Sequence, residues 1–113
     1  MGNKVDWYYH RKGCKTCTRS DVYLESRNVE VQEKVDCKKH PLDRSQAEIL
    51  LDGIEEVLAV QNKAVKHYDR QSQRSDILSS IIGPTGNLRA PSLRLGNRLT
   101  VGFDESLYAS QFA

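Results

Sequence analysis

The spacing of hydrophobic and polar residues changes several times along the chain, and each change marks a predicted element. Lys4 to His10 (KVDWYYH) is short, aromatic-rich and β-prone, and ends at basic residues and Gly13, which predicts a buried first strand. Lys15 to Arg27 contains neither Gly nor Pro, places Val22 and Leu24 for an inward face, and meets Asn28 as a left-handed stop, so it reads as a helix. VEVQEKVDC then alternates Val29, Val31 and Val35 with polar residues, as a second strand does. Strand, helix, strand in so short a span is a βαβ unit with a parallel pair.

Beyond Pro41, Asp43 and Gln46 have the spacing of a capping box, and Ala47, Leu50, Leu51 and Ile54 recur at helical intervals around Gly53. Glu55 to Tyr68 reads as helical at first and less regular later. Ile77, Leu78, Ile81 and Ile82 form another apolar stripe that stops at Gly83-Pro84. PSLRLGNRLTVGF alternates Leu93, Leu95, Leu99 and Val101 around Gly96-Asn97, the pattern of an antiparallel hairpin. Asp104 then caps a last helix carrying Leu107, Tyr108 and Phe112. The predicted order is β-α-β, helices, β-β-α. This is an α/β three-layer sandwich with a four-stranded mixed sheet and a helical insert at about residues 42–83.

Composition narrows the options. A chain of 113 residues fits a single domain, residues 1–113, with a modest core. No apolar run approaches the roughly 20 residues of a membrane span, so no membrane association is expected. MGNKVDWYYHRKG lacks the apolar stretch of a signal peptide, and Asp6 counts against myristoylation at Gly2. A reducing cytoplasm is therefore the expected setting, where paired cysteines are catalytic or metal-binding more often than structural. The net charge of +2 is small and the signs are interspersed, which argues against nucleic acid. The run Trp7, Tyr8, Tyr9 reads as alternating core and surface of a strand rather than a platform for bases. A monomer is expected.

The candidate chemistry lies in HRKGCKTCTRSD. If Cys14 stands at the mouth of the helix beginning near Lys15, unpaired N–H groups and the positive end of the helix dipole stabilise its thiolate. Cys17, one turn on, is within reach of a disulfide, and Cys14 is the more exposed attacker. The chemistry is then dithiol exchange, with His10, Arg11, Lys12 and Lys15 either adding positive potential or forming an ordinary solvated rim. A lone CxxC is moderately specific; its place between strand and helix of a βαβ unit raises the redox reading.

With these motifs in place, the chain resembles thioredoxin-fold proteins over nearly its whole length. GCKTC after the first strand is similar to the active-site segment of glutaredoxins, and APSLRLGNRLTVGFD to their cis-proline, hairpin and glycine-aspartate segment. PLDRSQAEILL and VLAVQNKAVKHYD are similar to the insert of glutaredoxin-coupled arsenate reductases and Spx-type regulators. The resemblance implies a thioredoxin-like sandwich, with Cys14 as nucleophile, Cys17 as resolving thiol and Pro91 in a cis peptide facing the sulfur. It implies a substrate- or glutathione-binding set of Lys12, Thr16, Ala90, Pro91, Gly102 and Asp104. Arsenate reductases of this type carry arginines where this chain has Ala90 and Asn62, with only Arg89 and Arg98 nearby, which counts against arsenate reduction.

The rival reading is a zinc module. Cys14-x-x-Cys17 and Cys37-x-x-His40 form two knuckles that superficially suit a tetrahedral site. Against it, the intervening TRSDVYLESRN looks helical. Cys37 reads as a half-buried residue ending a strand, or as a third thiol that is glutathionylated or resolves an intermediate. His40 reads as a loop residue. The expected function is thus thiol-disulfide oxidoreductase, with glutathione or a small redoxin as reductant and a disulfide-containing substrate. No bound redox cofactor is required, because the dithiol carries the electrons; a redox-sensing regulator or adaptor is the alternative that keeps the same pair.

Overall fold

The structure is a computed structural model that describes residues 4–61 and 64–112; Gly2 and Asn62 lie outside them. The predicted first strand divides at Asp6 into β1 (Lys4–Val5) and β2 (Trp7–His10). Helix α1 (Lys15–Ser26) follows and ends before Asn28, whose φ of 53° is the left-handed stop. The second strand also divides, into β3 (Glu30–Val31) and β4 (Lys34–Asp36). Each half pairs in parallel with its counterpart, β1 with β3 and β2 with β4.

Helix α2 (Arg44–Leu51) begins with the capping box seen in the sequence: Asp43 accepts from the Gln46 N–H at 3.0 Å, and the Gln46 side chain accepts from the Asp43 N–H at 3.1 Å. The next segment departs from expectation. Glu55 to Tyr68 is not helical but enters an antiparallel pair, β5 (Glu56–Gln61) and β6 (Ala64–Asp69). Helix α3 (Arg74–Ile81) then leads to the hairpin β7 (Ser92–Leu95) and β8 (Arg98–Val101), and α4 (Glu105–Gln111) is capped by Asp104.

The four-stranded, thioredoxin-like sandwich expected from the sequence is therefore incorrect. The main sheet has six strands in the order β4-β2-β7-β8-β5-β6, with β1 and β3 in a separate two-stranded sheet. The supposed helical insert is a helix, a hairpin and a helix. The physical reason lies in EVLAVQ and AVKHYD. Val57 and Ala59 alternate onto the buried face, and β-branched residues face each other or an aromatic ring in the register Val57↔Tyr68 and Val60↔Val65. β5 also pairs in parallel with β8, so Val57 lies beside Leu99 and Ala59 beside Val101. A helix here would have left the backbone groups along that side of β8 without strand partners.

Two apolar clusters flank the main sheet. Tyr9, Val57, Ala59, Leu99 and Val101 pack with Ala47 and Leu51 of α2 and with Ile77, Leu78 and Ile81 of α3. Tyr8 and Leu93 pack on the other face with Tyr23 and Leu24 of α1 and with Tyr108 and Phe112. Neighbouring tyrosines of β2 thus serve opposite cores, as a two-residue period requires. Among the described residues no helix is long and apolar enough to cross a membrane.

One hydroxyl ties α4 to α1 and to the residue that follows β8. The Tyr108 hydroxyl is bonded to Ser20 Oγ of α1 at 3.0 Å and donates to the Gly102 carbonyl at 3.1 Å, while its ring is fully buried. Gly102 has φ 96°, and a Cβ there would lie 2.9 Å from Val60 Cβ, so only glycine fits beside β5. Removing the hydroxyl leaves buried polar groups unpaired. Tyr108→Phe is expected to destabilise the protein by about 1–3 kcal/mol, read as a lower denaturation midpoint with an unchanged urea m-value.

Candidate functional site

β2, β4, β5 and β8 all run toward the same end of the main sheet, and the start of β7 lies there too. The loop after β2 carries Cys14 to the first turn of α1. Gly13 takes φ 79°, which reverses the chain without side-chain strain. Cys14 is the N-cap residue of α1, in extended backbone, and its carbonyl accepts from the N–H and the hydroxyl of Thr18 at 2.9 and 3.0 Å. Its side chain therefore faces the open N–H groups of the first turn.

Cys17 lies on the inner side of the same turn, 1% exposed, and the two cysteines approach to 3.6 Å. All three cysteines are free thiols. Partial burial pushes the Cys14 thiol up, but the N–H groups of Cys17 and Thr16, the Cys17 thiol and the Arg11 charge together outweigh it, and the net shift is downward. Cys17 moves the opposite way: burial, together with the charge of Cys14 beside it, pushes its thiol up to about 12, although the Arg11 N–H donates to its sulfur at 3.3 Å. Of the two thiols, Cys14 is therefore the one that ionises more readily.

Cys14 opens onto a cleft of about 380 Å³ whose walls include Arg11, Cys37, Lys38, Asn87, Arg89 and Ala90. None of the cleft's lining residues is acidic. The Ala90-Pro91 peptide is cis, and Pro91 is fully buried behind Ala90. The Pro91 carbonyl accepts from the Gly102 N–H at 2.7 Å, which joins the segment before β7 to the end of β8.

Of the residues singled out in the sequence, Cys14 and Ala90 share this cleft, Cys17 backs it and Pro91 adjoins it. Thr16 is exposed and contributes its backbone N–H to Cys14. Lys12, Gly102 and Asp104 all lie outside the cleft lining: Lys12 is exposed, Gly102 buried and Asp104 half-buried. The Asp104 carboxylate accepts from the Leu107 N–H at 2.9 Å, the ordinary duty of an N-cap. Arg98 belongs at the opposite end of the sheet, where it pairs with Glu56.

The four candidate zinc ligands do not come together. Cys14 and Cys37 line the cleft, whereas His40 lines a separate groove with Trp7, Leu42 and Ile49. Among the described residues, no group of three or more His, Cys, Asp or Glu side chains is placed to hold a metal ion.

Two further cleft residues are placed by long-range contacts rather than by a local motif. Arg89 spans the wall, donating to the Ser80 carbonyl at 3.0 Å and the Val60 carbonyl at 2.9 Å. Cys37 arrives through the β2–β4 pairing, its N–H donating to the His10 carbonyl at 2.8 Å. Only the parallel register places it there, and that register was an inference from an imperfect alternation.

The opposite shifts of the two thiols have a pH signature. A lowered pKa populates the thiolate at lower pH, so Cys14 should be alkylated with a midpoint below the ordinary value of 9.0, and Cys17 only well above it. Site-resolved iodoacetamide rates across a pH series measure both; a shared midpoint near 9.0 would contradict the assignment. Compared with known proteins, the chain matches no protein-family model and no curated protein.

Proposed function

We propose that the protein is a thiol-disulfide oxidoreductase that works through the Cys14–Cys17 dithiol. The observation that carries this reading is the asymmetry of the pair: a cleft-facing cysteine at a helix start, its thiol pKa lowered, approaches to 3.6 Å a buried cysteine whose thiol pKa is raised. The Cys14 thiolate attacks one sulfur of a substrate disulfide in the cleft. A mixed disulfide forms with Cys14, and the second substrate sulfur leaves as a thiolate that takes a proton from solvent. Cys17 then gives up its proton and attacks the Cys14 sulfur, expelling the first substrate sulfur as a thiol. Two electrons have passed from the dithiol to the substrate, and Cys14–Cys17 is a disulfide.

Glutathione or the dithiol of a small redoxin returns those electrons by the reverse exchange. The cleft's basic lining supports an anionic partner such as glutathione, whose carboxylates complement Arg11 and Lys38. The buried position of Cys17 supports its role as second attacker, because the Cys14 sulfur of a mixed disulfide lies within its reach while free substrate in the cleft does not.

The test is site-resolved differential alkylation across a series of glutathione redox buffers, with the disulfides mapped by mass spectrometry. Cys14 and Cys17 are expected to become protected together and reversibly, in the range of about −180 to −270 mV spanned by dithiol oxidoreductases. Cys14→Ser should slow reduction of a glutathione mixed disulfide at least about a hundredfold, since serine is not ionised at neutral pH. Oxidation of Cys14 without Cys17, or undiminished turnover in Cys14→Ser, would refute the dithiol mechanism.

A further inference from the structure

The dithiol mechanism leaves one thiol of the cleft unused. Cys37 lines the same cavity as Cys14 and is half-buried like it, whereas Cys17 lies behind the wall. Its backbone is fixed at the end of β2 by the hydrogen bond to His10, and its inner side packs against the core between the sheet and α2 and α3. Arg11 lies near enough to both thiols for its charge to act on each.

We infer that Cys37 is an acceptor thiol, to which Cys14 hands its bound substrate sulfur within their shared cleft to form a mixed disulfide on Cys37. The inference rests on the dithiol reading, because it needs Cys14 to take up a substrate first. Attack on a disulfide sulfur is in line, with the attacking and leaving sulfurs on opposite sides. In a Cys14 mixed disulfide the substrate sulfur lies on the open side of Cys14, in the cavity that Cys37 also lines. Cys17, attacking from behind, can strike only Cys14; Cys37, attacking from the cleft, strikes the substrate sulfur.

The exchange balances without an added oxidant. The Cys37 sulfur bonds to the substrate sulfur, the bond from that sulfur to Cys14 breaks, and Cys14 departs as thiolate while the Cys37 proton passes to solvent. One disulfide is lost and one gained. Burial keeps the Cys37 thiol above its ordinary pKa while Cys14 is held below, which makes Cys14 the better leaving group and the Cys37 disulfide the more persistent one. Cys17 and Cys37 then compete for one intermediate. Attack by Cys17 releases a reduced product, and attack by Cys37 stores the substrate thiol on the protein.

Oxidised glutathione is the probe. Protein with Cys17→Ser is mixed with it, quenched in acid at intervals and mapped by peptide mass. The adduct is expected first on Cys14 and then on Cys37, and adding Cys14→Ser should slow labelling of Cys37 at least about tenfold. Because Cys17 is buried, the same comparison is made between the parent protein and Cys14→Ser alone, whose serine is a favourable N-cap. An adduct that remains on Cys14, or labelling of Cys37 at a rate independent of Cys14, overturns the transfer and leaves the dithiol mechanism standing. Failure of Cys14 to take any adduct overturns both.

Discussion

The arrangement depends on the central position of β2 and on its two-residue period. Trp7 to His10 is paired on both sides, in parallel with β4 and antiparallel with β7, so it cannot shift without breaking two ladders. Tyr8 and Tyr9, each 1% exposed, anchor opposite cores, and a slip by one residue would exchange them. Both tyrosines also spend their hydroxyls on neighbouring elements: Tyr8 donates to Asp21 of α1, and Tyr9 accepts from the Leu42 N–H ahead of α2. The strand therefore fixes where α1 begins, and with it the height at which Cys14 meets the cleft.

Much of the local structure could be read from the residues because it is encoded within a few positions. The Asp43 capping box, the Asn28 stop, the Gly96-Asn97 hairpin and the Asp104 cap each depend on chemistry at short range. The hairpin β5–β6 could not be read in the same way. VLAV is a continuous apolar run that satisfies helical and strand periods alike, and what decides between them is β8, some forty residues later in the chain. Cooperation between distant segments also explains the site. The CxxC and the Pro91 segment were visible from their motifs, whereas the cleft joining them is built from the β2–β4 register, the turn after Gly83 and the Arg89 bridge. A zinc set inferred from spacing alone failed for the same reason: only two residues separate Cys37 from His40 in the chain, but they open onto different surfaces.

The electrostatics of the thiol pair follow from depth more than from charge number. The protein carries a net charge of only +2, yet one sulfur faces helix N–H groups and the other is enclosed by the core. A helix start concentrates several partial positive charges on one atom, whereas scattered surface lysines are screened by water and salt. The downward shift of the Cys14 thiol therefore owes much to backbone N–H groups that no single side-chain substitution removes.

The Arg89 bridge gives the cleft a stiff side and a compliant side. Its guanidinium is committed to two carbonyls from different elements, Ser80 of α3 and Val60 of β5, and Ser80 Oγ is in turn bonded to the Tyr68 hydroxyl of β6. Swinging that wall outward would strip charge-assisted bonds in a half-buried place, where such losses are costly. On the other rim, Arg11 and Lys38 are solvated and unconstrained by ion pairs among the described residues. The cleft thus has a one-sided mouth: its unbraced rim lies with the loops that follow β2 and β4, while the hairpin that the sequence disguised as a helix acts as the jamb.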